Sequence, residues 1–190
     1  KTQLAKALAS DTAENEDPWL EEAVTIASDE GSLPSDEQYA DQVASTLTRQ
    51  TYRRVDQYSQ RQGTAQPKQI IDSINSGRSW LSYFGHGSGT SWNSTNGLFS
   101  TKDVATLNNE NRFPVIVDVA CDNAAWTRLE PSFAESWMNA QKDGQPLGAL
   151  AYYGGSIKVS WHEPATMAVG VAQYRFRRKA AMIGPAVYAG

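Results

Sequence analysis

Cysteine is nearly missing from this chain of 190 residues: Cys121 is the sole one, and only two histidines, His86 and His162, accompany it. A single thiol excludes an internal disulfide and any thiolate cage around a metal. Basic charge has no surplus either, since 17 Lys and Arg face 21 Asp and Glu for a net charge of -4. Nucleic-acid binding draws its affinity from counterions released by a cationic surface, so nucleic acid is not an expected partner. No apolar run approaches the roughly 20 residues that cross a bilayer, and the stretch from Lys1 to Leu20 lacks the unbroken apolar core of a signal peptide. No membrane span is expected. What is present is ordinary: 40% hydrophobic and 20% charged residues, the make-up of a folded globular domain, in a length that suits one.

The chain starts without methionine and ends at Ala189-Gly190 just past a helical pattern, so it reads as a fragment of a longer protein whose further domains are expected partners. Residues 1–18 form a polar, acidic lead-in that begins as a short helix, with Asp11, Glu14, Glu16 and Asp17 clustered. Residues 19–190 read as a single domain. Strands are expected at Ala23–Ala27, Tyr52–Tyr58, Trp80–Phe84, Pro114–Ala120 and Gly148–Tyr153. Helical patterns alternate with them: Asp36–Arg49, a helix from Pro67 that Gly77 closes, one opened by the capping pair Ser100 and Asp103, Phe133–Gln141, and Ala165–Arg178. The strand from Pro114 to Ala120 is almost unbroken apolar sequence and is expected at the centre. Such alternation predicts right-handed crossovers and a mostly parallel sheet covered on both faces, a three-layer α/β/α sandwich.

In open parallel sheets the working groups gather beyond the carboxyl ends of the strands. His86 follows Trp80–Phe84 directly, within Gly85-His86-Gly87-Ser88-Gly89, and Cys121 follows Val115–Ala120 directly. If those strands are neighbours, imidazole and sulfur face each other. A thiol of pKa ~8.5 needs a base or an electropositive neighbour to act as a nucleophile, and His86 is the natural one. The N–H groups of Gly87 and Cys121 are the candidate oxyanion hole, a feature whose loss typically costs ~10² to 10³ in rate. The chemistry implied is acyl transfer at an amide. Against it stand a small buried core cysteine and a surface-loop histidine. His162, beside Glu163-Pro164 at a helix start, reads as a satisfied loop residue.

At these residues the sequence resembles the gingipain family of cysteine peptidases, related by fold to caspases and legumains. The blocks that carry the resemblance come in order: Ile26-Ala27-Ser28-Asp29-Glu30-Gly31, Tyr83-Phe84-Gly85-His86-Gly87-Ser88, Asp118-Val119-Ala120-Cys121-Asp122-Asn123, Pro131-Ser132-Phe133-Ala134-Glu135 running into Ala140-Gln141-Lys142-Asp143-Gly144, and Ser156-Ile157-Lys158-Val159-Ser160-Trp161. The resemblance implies a caspase-like fold and a cysteine endopeptidase in which Cys121 is the nucleophile, His86 the general base and acid, and Glu30 the carboxylate that orients the imidazole. It also implies Asp36 as the acid at the base of a pocket for Arg or Lys, with Trp161 as the aromatic lid. From the residues alone, Glu30 also reads as a solvated loop acid or helix-start residue, Asp36 as a helix-start residue, and Trp161 as a core residue alongside Trp80, Trp92, Trp126 and Trp137. No cofactor is implied for catalysis. Structural calcium is implied only by the family, with Asp29, Glu30 and Asp36 as oxygen donors and no spaced calcium loop. The resemblance further implies a peptide or protein substrate and a secreted or cell-surface location.

Two departures from the family blocks stand out: Gly89 replaces an acid after His-Gly-Ser, and Ser132 replaces a cysteine. Two other readings stay open. A transpeptidase of the secretion-associated sortase type would resolve the thioester with an amine, and a non-catalytic caspase-like module would only bind peptides or partner proteins.

Overall fold

Three segments, Glu22–Ala27, Trp80–Phe84 and Val115–Val119, bury residues on both sides of the backbone, which is the demand that a sheet with two covered faces makes of its inner strands. The computed structural model describes residues 1–12, 17–50, 52–177 and 182–189. After helix α1 (Thr2–Asp11) and a short 3-10 turn at Pro18–Glu21, the elements run β1 (Glu22–Ala27), α2 (Asp36–Gln50), β2 (Arg54–Ser59), α3 (Pro67–Asn75) and β3 (Trp80–Phe84). A small ribbon follows, β4 (Ser91–Trp92) with β5 (Phe99–Ser100), and then α4 (Thr101–Val104), β6 (Val115–Val119) and α5 (Phe133–Asn139). A second ribbon, β7 (Gln141–Lys142) with β8 (Gln145–Pro146), leads to β9 (Ala151–Gly154), α6 (His162–Arg177) and α7 (Ile183–Ala189).

The main sheet has the order β2-β1-β3-β6-β9, and every neighbouring pair is parallel. Alternate residues of each strand enter opposite layers, as the two-residue period requires. Ala23, Ala27, Trp80, Phe84, Val117 and Val119 face the layer of α2 and α6. Val24, Ile26, Leu81, Tyr83, Ile116 and Ala120 face the layer of α3, α4 and α5. This is the expected α/β/α sandwich. The strand expected at the centre, β6, is interior but second from the edge, and β3 holds the middle. Length of apolar run reported burial on both faces, which β1 and β3 share despite their Thr25 and Ser82.

The capping pair holds: Ser100 N–H donates to Asp103 Oδ2 at 2.7 Å, and Lys102 N–H donates to Ser100 Oγ at 3.3 Å. The helix it opens is a single turn. The polar lead-in is no free tail. The Lys6 side chain of α1 is fully buried, and its Nζ donates to the carbonyls of Trp137, Met138 and Ala149 at 2.9, 2.8 and 3.1 Å. Two of these are carbonyls at the end of α5, which no further helical turn would satisfy. Glu14, Glu16 and Arg178 lie outside the described residues. Trp126, grouped above with the buried tryptophans, is 75% exposed, whereas Trp80, Trp92 and Trp137 are buried. It sits in the loop after β6, where no helix covers it.

Candidate active site

Register brings the expected residues to one edge. Ala27 pairs with Phe84 and Phe84 with Val119, so His86 and Cys121 each lie two residues beyond a matched strand end, with Glu30 three beyond Ala27. His86 Nε2 and Glu30 Oε2 are 2.8 Å apart, each side chain about half exposed. A carboxylate can only accept, so Nε2 carries the proton, and the neutral ring leaves Nδ1 as its basic nitrogen. The Trp161 indole stands edge-on to the imidazole, with ring centres 5.2 Å apart at 78°.

A cavity of about 80 Å³ opens between these loops, lined by Asp36, His86, Ala120, Cys121, Val159 and Trp161 among others. Asp36 both begins α2 and lines this cavity. Its side chain is buried and accepts a 2.6 Å hydrogen bond from Ser28 Oγ. Burial raises its pKa from the ordinary carboxylate value, against the lowering effect of the Ser28 bond. The Trp161 indole N–H lies close enough to favour the Asp36 charge yet makes no hydrogen bond of normal geometry. Ser28 also accepts from the Glu30 N–H at 3.0 Å, so one buried hydroxyl ties the acid beside His86 to the acid in the cavity.

Cys121 is half-buried, with Sγ 3.8 Å from the Val159 carbonyl. The next residue, Asp122, has φ +60°, a left-handed conformation that Asp tolerates better than most side chains. Asp122 N–H then donates to Ile157 O at 3.1 Å and Ala124 N–H to Gly155 O at 2.9 Å, which pins the cysteine turn to the segment after β9. Gly87 packs against this turn. A Cβ at position 87 would lie 2.4 Å from the Cys121 carbonyl oxygen and 2.8 Å from Asn123 Nδ2, so only glycine permits the approach. The Gly87–Trp92 bridge is closed by Asn93 N–H to His86 O and Ser88 N–H to Ser91 O. That pattern spends none of Gly87's own groups on Trp92. Among the described residues, neither the Gly87 N–H nor the Cys121 N–H donates a hydrogen bond.

Beneath the loops lies a polar network that no motif announced. Asp118 points into the aromatic layer and accepts from Trp92 Nε1 and Asn123 Nδ2, each at 3.0 Å, and from the Tyr152 hydroxyl. Burial raises its pKa from 3.8 to about 6, in opposition to those three donors. Asn123 Oδ1 in turn accepts the Gly89 N–H at 3.0 Å, joining the cysteine loop to the histidine loop. Tyr83 OH donates to the His86 carbonyl and receives the Ser94 N–H, both at 2.9 Å, while Ser94 Oγ accepts the His86 N–H at 3.0 Å. The only sequence signal for the network is an acid inside an apolar strand, Asp118 between Val117 and Val119.

His162 has both ring nitrogens occupied, Nε2 with Ser32 Oγ and Nδ1 with Tyr39 OH, each at 3.1 Å. Of the acids named as oxygen donors, Glu30 turns to His86 and Asp36 to Ser28. Among the described residues no three His, Cys, Asp or Glu side chains converge as ligands.

The description "Peptidase family C25" matches the chain over residues 1–190. Gingipain R2 of Porphyromonas gingivalis is 38% identical over 170 residues, 86% of this chain and 23% of its own length. Lys-gingipain W83 of the same species is 29% identical over 97 residues, 51% of this chain and 5% of its own. Among solved structures, the Arg-specific cysteine proteinase gingipain R matches with a TM-score of 0.87 at 34% identity, covering 93% of this chain and 41% of that one. The complex of pro- and mature domains from Porphyromonas gingivalis matches at 0.83 and 36% identity, covering 92% and 42%. The chain thus spans less than a quarter of Gingipain R2 and about two fifths of the solved chains. A family match along its whole length, with a superposition this close, makes the chain a member of peptidase family C25.

Proposed function

We propose that this site is a cysteine endopeptidase centre that cleaves after Arg or Lys. The observation that carries the reading is the shared cavity, lined by Cys121, His86 and the buried Asp36. His86, held through Nε2 by Glu30, takes the Cys121 proton at Nδ1. The sulfur adds to the carbonyl carbon, and the oxyanion forms toward the free N–H groups of Gly87 and Cys121. As the C–N bond breaks, Nδ1–H protonates the leaving amine and a thioester remains. His86 then takes a proton from water, whose oxygen attacks the thioester and releases acid and thiol. A guanidinium or ammonium in the cavity would meet the Asp36 carboxylate as a charge-assisted pair. That the relatives are named for arginine and lysine supports this selectivity. A location outside the cytoplasm is proposed on family resemblance.

The test is mass spectrometry after incubation with an arginyl or lysyl chloromethyl ketone, beside an Asp-directed analogue and iodoacetamide. A single adduct on Cys121 that needs His86 and a basic side chain is expected. Labelling by iodoacetamide alone defeats the reading, as does turnover left intact by Cys121→Ala. A product that carries an added amine would make the chemistry transfer instead of hydrolysis.

A further inference from the structure

We propose that Arg128 is a second specificity determinant of this site, selecting substrates with a carboxylate beside the cleaved bond; the inference rests on the peptidase reading above. Gly89 lies two residues beyond Gly87 with φ +88°, and a Cβ built on it would sit 2.3 Å from Arg128 Nη1 and 2.9 Å from its Cζ. The same point is 3.4 Å from the Asp122 carbonyl oxygen. The guanidinium therefore rests in the space that any side chain at position 89 would fill. Arg128 is exposed, and among the described residues it makes neither an ion pair nor a side-chain hydrogen bond, although Asp122 and Glu130 are close in sequence.

The loop that carries Arg128 is tied on both sides of it. Ala125 N–H donates to Asp122 O at 3.0 Å, and Phe133 N–H donates to Gly89 O at 2.8 Å. Trp126, two residues before Arg128, and Leu129, directly after it, are 75% and fully exposed, so this loop carries exposed apolar side chains as well as the charge. Arg128 does not line the cavity that holds Asp36. The site thus presents an acid inside the cavity and a cation outside it, against Gly89. A guanidinium offers five fixed donors that match a carboxylate with two parallel bonds. The matching substrate has a basic side chain in the cavity and a carboxylate at a residue flanking the cleaved bond. That carboxylate comes from an Asp or Glu side chain, or from the C-terminus of a peptide ending just past the bond.

The experiment uses amidated peptides with one Arg and neutral flanks, changed at two positions on each side to Asp or Lys, together with peptides that end in a free carboxylate one residue after Arg. Wild type and Arg128→Gln are compared by kcat/KM in 0.05 and 0.5 M NaCl. Asp at one flanking position should raise kcat/KM about fivefold over the neutral peptide at low salt, the upper range for a solvent-exposed pair. The gain should shrink at high salt and vanish in Arg128→Gln, which cleaves the neutral peptide normally. A gain confined to the free-carboxylate peptides assigns the terminus as the source. No gain at any position, or a gain that survives Arg128→Gln, overturns the inference. Binding of the same peptides to Cys121→Ala removes any dependence on turnover. Equal affinity for neutral and acidic peptides defeats the inference alone, whereas failure to bind the neutral peptide defeats the peptidase reading and the inference with it.

Discussion

Asn123 links two loops through one side chain: its Nδ2 donates to the buried Asp118 carboxylate at 3.0 Å, and its Oδ1 accepts the Gly89 N–H at 3.0 Å. The histidine loop is therefore anchored, through an amide, to a charge inside the sheet. Asp118 titrates in the folded chain at about 6 against 3.8 for the free group. Between those values the folded state holds the proton more tightly than the unfolded state, so stability should fall as pH rises from about 4 to about 6. A difference near two units corresponds to about 3 kcal/mol. Thermal unfolding from pH 4 to 7 should show this slope in wild type and lack it in Asp118→Asn. The variant should also melt lower at every pH, since an amide offers a single acceptor oxygen to three donors.

Gly87→Ala should leave the fold largely intact but push the cysteine turn away, because its Cβ would meet the Cys121 carbonyl at 2.4 Å. On the proposed chemistry the cost is that of an oxyanion donor, about 10² to 10³ in kcat. Peptide turnover against iodoacetamide alkylation separates the effects: the first should collapse while the thiol still reacts.

For Asp36, burial moves the pKa upward, so its proton returns at a higher pH than for an ordinary carboxyl group. As pH falls, the neutral acid loses its grip on a cationic side chain, and KM for Arg and Lys substrates should rise before the enzyme unfolds. Asp36→Asn should show a KM raised at all pH values, by about tenfold or more, without that pH dependence. Initial rates on paired Arg and norleucine peptides check it, since the norleucine KM should stay flat.

Lys6→Ala removes three hydrogen bonds and leaves the Met138 and Ala149 carbonyls without that donor, while the Trp137 carbonyl keeps the Ala149 N–H at 3.1 Å. A loss of about 2 to 3 kcal/mol is expected, together with release of α1. Urea unfolding gives the first quantity, and faster proteolytic clipping within residues 1–12 reports the second.

Much of this was legible in the sequence because periodicity and turn residues act locally. The five strands, the Ser100–Asp103 cap and the strand-end positions of His86 and Cys121 all follow from short patterns. The pairing of β3 with β6, which places His86 and Cys121 at one end of the sheet, was a condition there and is a fact in the structure. Ser28 stayed hidden because its partners Glu30 and Asp36 become neighbours only when the loop folds back over the strand end. Asp118 had a signal, an acid in an apolar strand, but Trp92, Asn123 and Tyr152 lie far apart in sequence and share no motif. Lys6 showed none, since a lysine in a polar helix looks solvated until the carbonyls that need it are known. Trp126 misled because size and apolarity do not reveal whether a loop is covered.

The bonds from Asp122 to Ile157 and from Ala124 to Gly155 make the nucleophile's turn and the wall formed by Val159 and Trp161 one mechanical piece. On the proposed reading, a side chain that fits the cavity poorly displaces this wall and drags the sulfur off its line of attack. Discrimination would then be felt in the speed of acylation as much as in the strength of holding. A poor substrate would occupy the site and wait.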